Sequence, residues 1–160
     1  MSNRTLRFET WLAGIWAGII VGVGAVSAPS LFAVLDRPVA GAGAGRIFAT
    51  EAVVSLVIAI VLFVAERGRV RDRIEAGETL SVMSGPLLII LGALFLTVFG
   101  HYAITPMIQA AKAGQPTKLS FGALHGISVV LFWIKGLLVL TLAWRLGALH
   151  DSAAASPAQA

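Results

Sequence analysis

The chain has 160 residues, room for one domain, of which 58% are hydrophobic and 12% charged. Soluble domains carry about 25% charged residues, so this composition, with a mean hydropathy of +0.89, excludes a water-soluble fold. The net charge of +4 does not point to nucleic acid, because the basic residues are scattered over short inter-helix segments without a stripe or interleaved aromatics. Positive charge beside apolar segments instead sets membrane orientation. Cysteine is absent, which excludes disulfides, thiolate metal sites and cysteine nucleophiles and leaves the redox compartment open.

A membrane helix needs about 20 apolar residues to cross a hydrocarbon core of about 30 Å. Residues 10–35 carry no charge at all. Arg4 and Arg7 precede this window, and Ala25-Val26-Ser27 resembles a signal-peptide cleavage site. The apolar stretch exceeds the usual 7–15 residues of a signal sequence, roughly, and Pro29 follows closely, so a retained helix is expected. Gly14, Gly18 and Gly22 recur every four residues on one face, the spacing that lets a neighbouring helix approach closely in lipid. That neighbour is either in the same chain or in a second copy.

Residues 36–46, with the run AGAGAG at 40–45, read as a short loop. Residues 47–65 are apolar except for Glu51 and form the second span. Residues 66–78, with four arginines and four acidic side chains, read as a charged connection. The third window, 79–111, holds His101 as its one ionisable group, and 107–118 is a polar, glycine-containing connection. The fourth, 119–144, holds His125 and Lys135. The prediction is an all-α integral membrane four-helix bundle with spans at about 11–33, 47–65, 82–104 and 122–144. Residues 1–9 form an N-terminal segment, 10–146 the membrane domain, and 147–160 an Ala/Ser/Pro-rich disordered tail.

Orientation follows the lysine and arginine count. Arg4, Arg7, Arg67, Arg69, Arg71, Arg73 and Arg145 fall on one side, against Arg37, Arg46, Lys112 and Lys118 on the other. Both termini are therefore expected in the cytoplasm, and the composition suits a bacterial inner membrane.

Ionisable groups inside a bilayer cost about 2.5–3.5 kcal/mol at the centre of a span and are functional candidates for that reason. Glu51, His101, His125, Ser128 and Lys135 form the expected intramembrane polar cluster, with Arg46 at the outer boundary. Ser128 and Lys135 lie within about 20° of each other around their helix, and His125 within about 80° of both. Thr97 aligns with His101, and Glu51 with Ser55. Arg46 and Glu51 are about 140° apart, a poor intrahelical pair, so His125 is the expected partner of Glu51. The bland alternatives are headgroup contact for Arg46, interfacial hydrogen bonding for His101, helix bridging for Glu51 and His125, and snorkelling for Lys135. Trp11, Trp16, Trp133 and Trp144 need no role beyond packing and anchoring.

Three sequence segments, SAPSLFAVL at 27–35, AGAGRIF at 42–48 and FGALHGIS at 121–128, resemble the family of small four-helix membrane proteins typified by transmembrane protein 205, catalogued as a domain of unknown function (DUF4149). The resemblance spans residues 12–146. It implies a four-helix membrane domain in which Pro29, Phe32, Gly45, Phe48, His125 and Ser128 are the family-type residues, and it implies no reaction.

No phosphate loop or serine–histidine arrangement is present, and no catalytic residue, resident metal or cofactor is expected. The leading expectation is a non-enzymatic multi-pass protein that binds or conducts a small solute, ion or proton through the polar cluster. An accessory subunit is the second reading, its partners the lipid bilayer and a second copy or another membrane protein, without nucleic acid. Haem or metal on His101 and His125 is the third.

Overall fold

The computed structural model describes residues 3–155. The first span consists of α1 (Asn3–Val21), a π-turn (Gly22–Ser27) and α2 (Ala28–Val34). The second is the single helix α3 (Arg37–Glu75). The third combines α4 (Gly85–Val98), a second π-turn (Phe99–Ile104) and α5 (Thr105–Lys112), and α6 (Phe121–Ala155) is the fourth. Each span is long and apolar enough to cross a membrane. The chain is an all-α, four-helix integral membrane protein. Four spans place both termini and the α3–α4 connection at one end of the bundle, called the terminal end below.

Several segments read as loops are helical. Residues 37–46 open α3, with Pro38 in the first turn, where its missing N–H costs nothing. Alanine, the strongest helix former, offsets the interleaved glycines. Ala40 and Ala44 are buried, and a Cβ added at residue 43 would meet Leu31 at 3.4 Å, so small residues let α3 begin against α2. The charged segment after residue 65 continues α3 to Glu75. It stops in a glycine cap: Gly77 has φ +90°, and the amides of Gly77 and Glu78 donate to the carbonyls of Ile74 and Arg73. The same cap ends α5 at Gly114, φ +71°. The tail expected to be disordered from 147 is helical through Ala155, an alanine-rich stretch that meets no proline before Pro157. Residues 156–160 of that tail lie outside the described residues.

Both π-turns precede a proline. Pro29 and Pro106 stand in the first turns of α2 and α5, and a proline inside a helix removes one amide donor and crowds the carbonyl four residues back. The wider turn relieves that crowding. Ala28 N–H and Thr105 N–H donate five residues back, to Val23 and Gly100. The Ser27 and Thr105 hydroxyls do likewise, to Gly22 O at 3.1 Å and Gly100 O at 3.0 Å.

The core is a stripe of α1 (Leu6, Ala13, Trp16, Ile20) against Leu142 and Leu146 of α6, completed by α3 and α4. Gly14, Gly18 and Gly22 are not on it. A Cβ at any of them would meet nothing within 4 Å, so this stripe faces away from the bundle instead of seating a helix of the same chain. Close approach occurs instead at glycines such as Gly24, where a Cβ would stand 2.6 Å from the Phe132 ring, and Gly136, where it would stand 3.3 Å from Ile20. The regular spacing of the three glycines identified a smooth helix face without saying what lies opposite it.

Candidate functional site

Glu51 and Lys135 meet inside the bundle. Glu51 lies on the inner stripe of α3 and is 4% exposed; Lys135 lies on the inner stripe of α6 and is also 4% exposed. The Lys135 ammonium donates to both carboxylate oxygens of Glu51, at 2.8 Å each. One turn along α3, the Ser55 hydroxyl donates to Glu51 Oε1. The Ser55 oxygen in turn accepts from Trp16 Nε1–H of α1 at 2.7 Å, since an indole can only donate and a carboxylate can only accept. Trp16, Ser55, Glu51 and Lys135 therefore form one ordered chain of hydrogen bonds across three spans. Charge is balanced within it, and the polar atoms are satisfied, as a medium without water demands.

Aromatic rings close the site. Lys135 Nζ sits 5.0 Å from the centroid of Phe132, near the favourable cation–π range. Phe132 meets Phe48 edge-on at 5.1 Å, and Gly24 leaves the space that Phe132 fills. Phe48 thus packs against the ring that Lys135 faces.

The other expected members of the cluster are elsewhere. His125 is exposed on the outer side of α6, its ring stacked on Phe121 one turn earlier at 5.8 Å. The expected Glu51–His125 pair is replaced by Glu51–Lys135: Glu51 and Lys135 project from the packed faces of α3 and α6, whereas His125 has rotated out of that face. Lys135 accordingly does not snorkel. Ser128 is half-buried. His101 lies half-buried in the second π-turn, edge-on to Tyr102 at 4.8 Å. Thr97, aligned with it, is buried and bonds to its own helix at Ala93 O. Arg46 is exposed. Among the described residues no group of three or more His, Cys, Asp or Glu side chains could hold a metal.

A second ionic cluster occupies the terminal end. Glu9 on α1 and Glu66 on α3 are each 1% exposed, and Arg69 is 5% exposed. Arg69 Nε donates to Glu66 Oε2 at 2.7 Å, and its Nη2 pairs with the same oxygen. Nε also lies 3.2 Å from Glu9 Oε2, yet its hydrogen is directed at Glu66. Both Glu9 oxygens therefore lack a hydrogen bond. The Ser84 hydroxyl, which accepts from Leu87 N–H as the cap of α4, donates to Glu66 Oε1 at 2.5 Å.

Neither Trp16's role nor this second cluster was foreseen. Their register is the missed signal. Leu6, Glu9, Ala13, Trp16 and Ile20 follow one another at three- and four-residue steps, as do Ile58, Leu62, Glu66 and Arg69. A charged residue in phase with an apolar stripe is carried into the core with it.

Residues 11–116 match the domain of unknown function DUF4149. The chain belongs to the DUF4149 family. The DUF4149 match includes Trp16, Glu51, Ser55, Glu66 and Arg69, and also Pro29, Phe32, Gly45 and Phe48; Glu9, His125, Ser128 and Lys135 fall outside it. No curated protein matches, and no solved structure matches.

Proposed function

We propose that this DUF4149 protein is a non-enzymatic membrane protein that takes up a proton or small cation at the Glu51–Lys135 pair. One observation carries the reading: a fully buried carboxylate and a fully buried ammonium on different spans bond to each other at 2.8 Å. Replacing a buried ion pair by apolar side chains is often neutral or stabilising, so holding α3 against α6 does not require charges here. A buried ion pair does supply a site whose charge changes when one ion arrives. A proton on Glu51 would leave a neutral carboxyl beside Lys135 and free the ammonium to bond elsewhere. Intramembrane carboxylates serve proton and ion relays in this manner.

The same reading places both termini in the cytoplasm of a bacterial inner membrane, on the excess of arginine at the terminal end. It keeps the likeness to transmembrane protein 205, drawn from the motifs around Pro29, Gly45 and His125. Cysteine labelling tests the orientation: Gln115→Cys reacts from outside the cell and Ala76→Cys from inside, and the reverse pattern rejects it.

The experiment for uptake is reconstitution of the full chain in liposomes with a trapped pH-sensitive dye, under an imposed potential, with protons and then sodium or potassium gradients. The wild type dissipates one of the gradients, and Glu51→Gln does not. Equal flux through wild type, Glu51→Gln and empty liposomes rejects uptake. A second reading, an accessory subunit with a membrane partner or a second copy, is favoured by the outward face of Gly14, Gly18 and Gly22. It predicts a stoichiometric companion, or a dimer, on purification in mild detergent.

A further inference from the structure

A groove of about 510 Å³ runs along α3 at the terminal end, where the helix leaves the apolar part of the span. Its apolar lining comes from Phe63, Val64, Val70 and Ile74 of α3 and from Val82 of the α3–α4 connection. Arg67 and Arg71 line it as well, four residues apart and so on the same face of the helix. Gly68 lies between them, and a Cβ placed there would meet nothing within 4 Å.

The arginines of this segment are engaged unequally. Arg69 is buried against Glu66 and Glu9. Arg73 is bonded to Glu78, whose carboxyl it holds below its ordinary range. Arg71 reaches Glu75 only at 3.5 Å, with both side chains largely exposed, a contact worth little in solvent. Arg67 is exposed and has no hydrogen bond or ion pair among the described residues. Glycine in a helix interior costs about 1 kcal/mol relative to alanine, and at Gly68 no packing inside the chain demands it. What Gly68 does provide is an open floor between two guanidinium groups.

We propose that this groove is a binding site for an anionic phospholipid, with Arg67 and Arg71 taking the phosphate and the Phe63, Val64 and Val82 surface taking the first acyl carbons. Guanidinium groups match phosphate oxygens in geometry as well as charge. Two arginines beside an apolar wall at the end of a span present partners for both the headgroup and the chains of a phospholipid. A soluble phosphate would use the arginines and leave the wall uncovered. The proposal is independent of any uptake at Glu51 and of which side of the membrane the terminal end faces.

The test uses the full chain purified in a non-ionic detergent, given phosphatidylglycerol or phosphatidylcholine, with bound lipid counted by native mass spectrometry. The wild type retains phosphatidylglycerol in preference to phosphatidylcholine, and 10 mM inorganic phosphate, a concentration of roughly that order, does not displace it. The double variant Arg67→Gln/Arg71→Gln loses at least about tenfold in phosphatidylglycerol retention, equivalent to about 1.4 kcal/mol. Gly68→Leu, which fills the floor and leaves the charges in place, loses it as well. Arg7→Gln, an exposed arginine on α1 at the same end, retains it. Each variant is first checked for wild-type thermal unfolding, so that loss of lipid is not loss of fold. Equal retention by the double variant, equal retention of the two lipids, or displacement by inorganic phosphate overturns the proposal.

Discussion

The bundle contains two buried ionic clusters built to different rules. At the Glu51 level one carboxylate faces one ammonium, and Ser55 and Trp16 complete the bonding. At the terminal end two carboxylates face one guanidinium, and the oxygens of Glu9 have no hydrogen bond. Along α3, Glu51 and Glu66 are fifteen residues apart, about 22 Å. That distance separates a depth where water is absent from one close to the aqueous boundary. Deep in lipid an uncompensated charge has nothing to relax toward, so compensation there is complete. At the terminal end Glu9 and Glu66 are just as buried, at 1% exposed each, yet share the guanidinium of Arg69.

The largest effects are expected where compensation is complete. Glu51→Gln or Lys135→Met leaves a buried charge without its partner and should destabilise the bundle by about 3–5 kcal/mol, read from unfolding in bicelles or mixed micelles. Loss of under about 1 kcal/mol in both variants would mean the pair is solvated, and the contrast with the terminal end would fall. Next comes Gly24→Ala, whose added methyl must displace Phe132 from beside Lys135. It should cost about 1–3 kcal/mol, and a melting temperature equal to that of wild type would remove Phe132 from the account of the site.

At the terminal end, Glu9→Gln removes the excess carboxylate without breaking a hydrogen bond. Its stability should be unchanged or slightly raised, within about 1 kcal/mol, whereas Glu66→Gln should cost more because it disturbs bonds to both Arg69 and Ser84. If Glu9→Gln is the more damaging of the two, the imbalance described above is not real. The smallest effect is expected at the outward glycine face. Gly18→Leu should leave the unfolding of the isolated chain unchanged or slightly improved through helix propensity, by about 1 kcal/mol at most. Collapse of the fold in that variant would restore Gly18 to an intrachain contact.

The sequence made much of this legible. The four spans were readable because charge-free windows of twenty residues have one common use, crossing a bilayer. Glu51, Ser55 and Lys135 were readable as inward-facing because a charge exposed to lipid is too costly to leave there. The partner was not readable. Depth estimates put His125 near Glu51, but partner choice depends on the rotation of α6, and the lysine stem adds several ångströms of reach. Residues 37–46 and 66–75 read as loops because an alternating Ala/Gly run signals flexibility and a dense run of charges signals water. They are helix because α3 extends past the bilayer at both ends, about 58 Å in all for its 39 residues. Outside lipid, charge does not break a helix. Glu9, Glu66 and Arg69 were passed over for the same reason: adjacency to other charges suggested water, while their phase with Leu6, Ala13 and Leu62 carried them inward.

The pairing of Glu51 with Lys135 is the claim on which the rest depends, and a double-mutant cycle measures it directly. Unfolding free energies of wild type, Glu51→Gln, Lys135→Met and the double variant, taken in one lipid mixture, give the coupling between the two side chains. A contact at 2.8 Å between fully buried groups predicts a coupling of about 2 kcal/mol or more, with the double variant more stable than the sum of the single losses allows. Additivity within about 0.3–0.5 kcal/mol, the behaviour of sites that do not touch, would contradict it.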